Sequence, residues 1–344
     1  MPDRTGPRIL ISRMSAIGDA ILTLPVACAI RQAMPDAYLA WVVEEKAAPM
    51  VVGHDALDEV LVLKRGWFTS AQGVRQARRQ LQSLNIDVSI DCQGNTKSAL
   101  AGWLAGAKRR IGYAGKCGGE LSRALNNERV TPVFSHLTDR SLELLSPLEI
   151  HSPRVDWRLP LSEISRVWAS RWRRTMPDQR LMVINPGGTW ASKLWESDRF
   201  AATARYVFDR YRMKSIVVWG TTAEREMAME ISDRSSGAAV IAPDTDLHHL
   251  AALIEVSDLF LSGDTGPLHM AVAVGTRTIG LYGATRPGDS GPYGQTALQK
   301  AYEAGSRRHR RQADNSAMKA IGVEHVCEVI DRFEIERVQC QRAA

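Results

Sequence analysis

The chain has 344 residues, of which 44% are hydrophobic and 24% charged, so it is long enough for two packed domains and too apolar for global disorder. Its formal net charge of +6 favours anionic partners, among them nucleotides, phosphorylated lipids, anionic membrane surfaces and nucleic acid. The five cysteines include no C-x-x-C pair, which argues against a disulfide framework or a zinc site and fits a reducing compartment. The longest apolar run near the start, residues 20–30, is too short to span a bilayer, and we expect a cytoplasmic protein.

The first half of the chain predicts strands that alternate with helices. The expected strands are Arg8–Ser12, Tyr38–Val43, Glu59–Leu63 and Ile86–Cys92. A loop containing Gly18 is expected after the first strand, and the expected helices span 19–33, 71–84 and 96–105. Strands and helices of these lengths imply a parallel sheet that is covered on both faces.

The same alternation resumes after an irregular, proline-containing stretch from 130 to 177. The expected strands are Leu181–Ile184, Ser215–Trp219, Ala238–Ala242, Leu259–Ser262 and Arg277–Tyr282. The expected helices are Ser197–Tyr211, Ala223–Arg234, Leu247–Glu255 and Gly266–Val274. We therefore predict an α/β protein with two doubly wound domains, residues 1–165 and 166–344, that face each other across a ligand-binding cleft, with a last helix that could pack back on the first domain.

The loop at 262–266 follows an apolar strand and leads into a helix. Its glycines and the free N–H groups at the start of the helix are typical of a phosphate site, and Asp264 is expected to point into the crevice. An ordinary turn in which Asp264 caps the helix is the structural alternative. His269, inside the helix, is expected to be a packed, hydrogen-bonded histidine.

A second strand-exit loop, residues 185–195, combines two glycines, a hydroxyl and a lysine. Backbone N–H groups, Thr189 and Lys193 would suit a diphosphate and would stabilise the charge of a leaving nucleoside diphosphate. Trp190 and Trp195 either serve this site or simply pack on the domain.

The loop that follows the first strand, residues 13–19, contains no G-x-G-x-x-G pattern, and no G-x-x-x-x-G-K-[ST] pattern occurs in the chain. Its Asp19 could act as a general base towards an acceptor hydroxyl, or it could cap the helix that follows. The basic run Arg307–Arg311 is either a solvated surface segment or a contact with a membrane or a phosphate.

These stretches resemble, in order and spacing, glycosyltransferase family 9, the lipopolysaccharide heptosyltransferases that use ADP-heptose. The resemblance covers roughly residues 8–295, and its motifs are Ser15–Asp19 with Thr23–Pro25, Gly188–Trp195, Asp264–His269 and Leu281–Thr285. It implies a GT-B architecture with two Rossmann-like domains, the acceptor on the first and the nucleotide sugar on the second. It also implies transfer with inversion, without a metal or other cofactor, at the cytoplasmic face of the inner membrane.

The resemblance assigns roles to individual residues. Asp19 becomes the base, and Asp264 contacts the sugar. Glu224 is near a carboxylate that meets the ribose, although the alignment could shift to Thr222, and the backbone of Thr245 meets the adenine. The full donor set is Gly188, Thr189, Lys193, Glu224, Thr245, Asp264, Thr265 and Gly266.

The acceptor side is matched only loosely. Arg13, Lys64, Arg65 and Lys97 are candidates for an anionic glycolipid acceptor, with a solvated surface as the alternative for each. Two other functions remain open: a nucleotide-sugar epimerase or hydrolase of similar fold, and a nucleotide-sugar-binding protein without catalysis. Nucleic acid is not expected as a partner, because no basic helix is interleaved with aromatic residues.

Overall fold

A computed structural model describes residues 5–119, 121–176 and 180–343, without the side chains of Arg307 and residues 338–343. The chain divides into two compact units, Met1–Pro160 and Leu161–Ala344. The division lies a few residues before the boundary at 165/166 that the sequence suggested.

The first unit alternates strands and helices. Its strands are β1 (Arg8–Ser12), β2 (Tyr38–Glu44), β3 (Glu59–Leu63), β4 (Val88–Asp91), β5 (Arg109–Tyr113) and β6 (Glu128–Val130). Its α-helices are α1 (Ile17–Ile21), α2 (Leu24–Ala33), α3 (Ala71–Gln82), α4 (Thr96–Leu104), α5 (Ser122–Leu125) and α6 (Leu137–Glu143). Short 3₁₀ turns at 48–50, 67–69, 115–117 and 146–148 connect them.

The second unit repeats this plan. Its strands are β7 (Arg180–Asn185), β8 (Met213–Val217), β9 (Ala239–Ile241), β10 (Leu259–Gly263), β11 (Thr278–Leu281) and β12 (Thr296–Leu298). Its α-helices are α7 (Glu163–Arg173), α8 (Ser197–Tyr211), α9 (Thr222–Arg234), α10 (Leu247–Glu255), α11 (Gly266–Ala273), α12 (Pro287–Ser290), α13 (Arg307–Gln312), α14 (Ser316–Lys319) and α15 (Val323–Ala343). A 3₁₀ turn spans 191–193.

The two sheets have the same topology. The strand order is β3-β2-β1-β4-β5-β6 in the first unit and β9-β8-β7-β10-β11-β12 in the second, and the strand pairs are parallel. In each unit the order reverses beside the first strand, between β1 and β4 and between β7 and β10. Ligands of doubly wound folds bind outside the carboxyl ends of the strands at this switch point. The loops singled out from the sequence follow β1, β7 and β10, so each starts at a switch point.

Hydrophobic burial explains why the central strands were predictable. Ile9, Leu10 and Ile11 of β1 are fully buried, as expected for a parallel strand with helices on both faces. The described apolar side chains of α15, including Val326, Val329 and Ile330, join the core of their own unit, and α15 packs against α8.

Two sequence predictions about the segment after β1 are wrong. Gly18 lies inside α1 rather than in a loop, and the expected helix 19–33 is divided at Leu22–Thr23 into α1 and α2. Pro25 explains the division, because it has no N–H to donate and its ring crowds the carbonyl four residues earlier. At the second position of α2 it needs no intrahelical partner.

Candidate active site

The loop after β1 is held by a buried arginine. The side chain of Arg13 is 5% exposed; its Nη1 donates to the carbonyl oxygen of Cys92 at 2.6 Å, and its Nη2 lies 2.7 Å from Oδ2 of Asp19. Because Cys92 follows β4, this guanidinium joins the two loops that leave the switch point of the first unit. Arg13 is a candidate acceptor contact in the sequence, with a solvated surface as the alternative; its burial contradicts the solvated alternative, and its acceptor contact stays a prediction.

Asp19 is accessible as well as anchored, with 41% of its side chain exposed. The backbone N–H of Ala16 donates to Asp19 Oδ2 at 3.3 Å, so the carboxylate also caps α1, as the structural alternative proposed. The base role and the capping role are therefore compatible: the contacts described here fix the carboxylate, and its exposure admits a substrate hydroxyl.

Side chains from β2, from the loop after β4 and from α4 support the same turn. Gln93 accepts from the Met14 N–H at 2.9 Å and donates through Nε2 to Ser15 Oγ at 3.3 Å. Lys97 Nζ donates to Ser15 Oγ at 3.1 Å and pairs with Glu44 at 2.8 Å. Lys97 thus lies beside the Asp19 loop and is paired with Glu44, and its part in acceptor binding stays a prediction.

The loop after β4 is itself organised by a buried carboxylate that the sequence analysis did not identify. Asp91 is 2% exposed and accepts hydrogen bonds from Ser98 Oγ at 2.5 Å and from Ser122 Oγ at 2.8 Å. Asn126 Nδ2 and the Gly94 N–H add bonds at 3.0 and 2.8 Å. A polar residue at the end of a strand adjacent to β1 was the available signal for this role.

Lys64 and Arg65 are placed differently. Both are exposed in the turn after β3, the edge strand, two positions away from β1 in the sheet. The contacts of the described residues do not connect them with the Asp19 loop, so their part in acceptor binding stays a prediction.

In the second unit, hydroxyl and amide groups connect the loops after β7 and β10. Asn185 Nδ2 donates to Ser262 Oγ at 2.9 Å and to Thr265 Oγ1 at 3.0 Å. The two hydroxyl oxygens are 3.0 Å apart. This network orients Thr265 at the start of α11, and Asn185 and Ser262 had been assigned no role from the sequence.

An ion pair occupies the same switch point. Lys193 Nζ lies 2.6 Å from Asp264 Oδ2 and also donates to the Asp264 carbonyl oxygen at 3.2 Å. The two side chains are only 11% and 10% exposed. His269, buried as expected, has Nε2 3.8 Å from Asp264 Oδ1. The alternative in which Asp264 caps α11 is wrong, because the N-cap is Thr265 and the carboxylate is turned towards Lys193.

The backbone before Lys193 is shaped by close approaches. A Cβ atom at Gly187 would lie 2.1 Å from Glu224 Oε1, so glycine is required for that carboxylate to reach the loop. Glu224 Oε2 accepts from the Gly220 N–H at 2.9 Å. Glu224 therefore lies beside the turn that contains Gly187 and Gly188. Thr189, the next residue in this turn, is exposed.

The two tryptophans of this loop have different environments. Trp195 is 2% exposed, packs edge-to-face on Phe200 at 4.8 Å and donates from Nε1 to the Ile321 carbonyl oxygen, so it is a core residue. Trp190 is only partly buried, and Lys193 Nζ lies 4.4 Å from the centre of its ring. Packing alone accounts for Trp195 but leaves Trp190 available to the site.

The remaining donor candidate is Thr245. It is half-buried in the loop between β9 and α10. Strand β9 is an edge strand, two positions away from β7 in the sheet, so this loop does not start at the switch point. No contact among the described residues tests its predicted meeting with adenine.

Comparison with known proteins identifies the family. The model of glycosyltransferase family 9 (heptosyltransferase) matches residues 74–319. The chain belongs to this family. Lipopolysaccharide heptosyltransferase 1 of Pseudomonas aeruginosa is 29% identical to it over 305 residues, which are 85% of this chain and 82% of that protein.

Solved structures confirm the GT-B fold. A family 9 glycosyl transferase from Veillonella parvula has a TM-score of 0.81 at 21% identity, covering 97% of this chain and 99% of that one. The E. coli heptosyltransferase WaaC with ADP-2-deoxy-2-fluoro heptose has a TM-score of 0.74 at 23% identity, covering 94% and 99%. The family and the glycosyltransferase class expected from the sequence motifs are confirmed.

Among the described residues, no group of three or more His, Cys, Asp or Glu side chains could hold a metal ion, and metal independence stays a prediction. In the same part of the chain, no helix combines the length and apolar character needed to cross a membrane.

Proposed function

We propose that this glycosyltransferase moves a heptose, or a related sugar, from an ADP-sugar to a hydroxyl of a membrane glycolipid such as a lipopolysaccharide core. The transfer inverts the anomeric carbon and needs no metal. The observation that carries the proposal is the Asp19 carboxylate, which is 41% exposed at a switch point and fixed by a buried arginine. The relationship to lipopolysaccharide heptosyltransferase 1 and the similarity to a heptosyltransferase structure with ADP-2-deoxy-2-fluoro heptose support the substrates.

The reaction follows from general acid–base chemistry at Asp19. Its carboxylate takes the proton of the acceptor hydroxyl while the acceptor oxygen forms a bond to the anomeric carbon. The bond between that carbon and the β-phosphate oxygen breaks, and ADP leaves with the electron pair. Attack opposite to the leaving group gives inversion.

The loops after β7 and β10 supply the leaving-group stabilisation in this proposal. A lysine ammonium has three hydrogens, and Lys193 gives two of them to the carboxylate and the carbonyl of Asp264. The third can reach a phosphate oxygen, together with Thr189, Thr265 and the N–H groups that open α11 at Gly266. Asp264 then positions Lys193 and contacts the sugar.

The acceptor and the location complete the proposal. A formal net charge of +6 favours an anionic glycolipid surface, with Lys97 next to the Asp19 loop as an acceptor contact. We therefore place the enzyme peripherally at the cytoplasmic face of the inner membrane.

The Asp19→Asn variant tests the central step. Asparagine keeps an oxygen that can accept from the Ala16 N–H but removes the base, so kcat should fall by about 10²–10⁴ while ADP affinity is unchanged. Asp36→Asn, an exposed carboxylate before β2, is the matched control and should retain full activity.

The assay measures heptose incorporation into a truncated lipopolysaccharide acceptor in excess EDTA, with the anomeric configuration of the product determined by NMR. Wild-type turnover by Asp19→Asn would exclude the base role. Activity that disappears with EDTA and returns with Mg²⁺ would contradict metal independence, and retention of configuration would contradict the single displacement.

A further inference from the structure

The basic segment Arg307–Arg311, for which the sequence left two interpretations, packs on the candidate donor site. Ser192 is 1% exposed and its Oγ donates to the Arg310 carbonyl oxygen at 2.6 Å. Arg310 Nη1 in turn donates to the carbonyl oxygen of Ala284 at 3.0 Å. Ser192 lies in the loop after β7, and Ala284 follows β11.

These two bonds define where α13 lies. Strands β7 and β11 flank β10 in the sheet, so a helix fixed to the loops after both of them lies across the carboxyl end of β10. That end carries Asp264 and Thr265. Asn315, after α13, donates to the Leu194 carbonyl oxygen at 3.4 Å and holds the segment from its other side.

The side chain of Arg311 is directed onto Trp190, in the loop after β7. Its Cζ lies 5.6 Å from the centre of the Trp190 ring, the same ring that Lys193 approaches to 4.4 Å. Arg311 is exposed, and among the described residues no carboxylate lies within ion-pair distance of it. Lys193 and Arg311 therefore both lie near the Trp190 ring, and of these two described cations only Lys193 is paired with a carboxylate.

This difference matters for a donor that carries two negative charges on its diphosphate. The pair of Lys193 and Asp264 is formally neutral, so it leaves the phosphates without a net positive partner. An arginine offers a planar fork of N–H donors that matches phosphate oxygens. The Trp190 ring restricts the guanidinium without neutralising it.

We propose that α13 is an element of the donor site and that Arg311 binds the diphosphate of the nucleotide sugar, supplying the uncompensated positive charge that Lys193 lacks. This inference rests on the proposed function, because it assumes a nucleoside diphosphate sugar as donor. It also assigns a role to Trp190, which positions Arg311.

The test compares Arg311→Gln with Arg308→Gln, a change of equal charge at an exposed position of the same helix. Calorimetry measures the binding of adenosine, AMP and ADP to each variant and to the wild type. Arg311→Gln should weaken ADP binding about tenfold, AMP binding less, and adenosine binding not at all, because a charge-assisted bond to phosphate is lost. Arg308→Gln should bind all three like the wild type. The Arg311 effect should shrink at high salt.

Trp190→Phe and Trp190→Leu extend the comparison. Phenylalanine keeps a ring beneath Arg311 and should retain most of the ADP affinity, whereas leucine should lose as much as Arg311→Gln. Equal melting temperatures show that each variant is folded.

Two results overturn the inference: unchanged ADP affinity in Arg311→Gln, or an equal loss for adenosine and ADP, which would indicate a packing role alone. If the wild type does not bind ADP, the adenine assignment of the proposed function fails instead. The affinities of the same variants for UDP and for inorganic pyrophosphate are then measured. They decide whether Arg311 contacts the diphosphate, independently of the nucleobase.

Discussion

Replacing Lys193 by methionine probes the ion pair at the centre of the proposed donor site. The charged atoms of Lys193 and Asp264 are 2.6 Å apart, and their side chains are 11% and 10% exposed. At an effective dielectric constant of about 20, this separation gives an attraction of about 6 kcal/mol. The variant also loses the desolvation cost of the lysine, so we expect a net loss of about 3 kcal/mol, as for other buried pairs that lose one partner.

Thermal unfolding followed by circular dichroism measures this loss. For a domain the size of the second unit, about 3 kcal/mol lowers the melting temperature of its transition by roughly 6–12 °C. Arg234→Met is the matched control, since it breaks an exposed pair with Glu230 whose side chains are 55% and 43% exposed. That control should lose less than about 1 kcal/mol.

The double variant of Lys193→Met with Asp264→Asn separates stability from binding. Removing the unpaired carboxylate should recover most of the lost melting temperature, but ADP affinity should stay low because the ammonium is still missing. A Lys193→Met protein that melts within about 2 °C of the wild type would refute the reasoning. So would a double variant no more stable than the single one.

The remaining predictions concern the loops around this pair and around Asp19, the proposed base. Gly187→Ala should displace the flexible carboxylate of Glu224, which the new Cβ would approach to 2.1 Å, so titration calorimetry should show weaker ADP binding at an unchanged melting temperature. An unaltered dissociation constant would show that this carboxylate does not contact the donor. Arg13→Lys should lower kcat more than it raises KM, because one ammonium cannot reproduce the fork that bridges two loops and orients Asp19; steady-state kinetics with unchanged kcat would contradict the positioning role.

The fold was largely predictable from the sequence because its signals are local. The buried strands β1, β7 and β10 are apolar runs that end in glycines and polar residues, and their exits hold the loops that carry the site. Three strands were missed, β5, β6 and β12. The last two have only three residues each, and β5 begins with two arginines, so none shows a clear apolar pattern.

The pairing of site residues was not predictable, because it depends on which loops become neighbours. Lys193 and Asp264 are 71 positions apart in the chain and meet only because β7 and β10 are adjacent in the sheet. Arg13 looks like a surface cation in the sequence, yet the carbonyl of Cys92 and the carboxylate of Asp19 make its burial favourable. No pattern in the basic run at 307–311 indicates that the Ser192 hydroxyl fixes it beside the loop after β7.

Each unit has a pair of a cation and a carboxylate near its switch point, and the two pairs differ in exposure. In the first unit the cation, Arg13, is buried while the carboxylate of Asp19 is 41% exposed, so the acidic group can meet a substrate proton. In the second unit both members are nearly buried, so Asp264 is suited to hold Lys193 rather than to exchange protons with an acceptor. Arg311 is an exposed cation beside that pair, on the same Trp190 ring that Lys193 approaches, which is why we assign the phosphate contact to a segment that no strand-exit motif would identify.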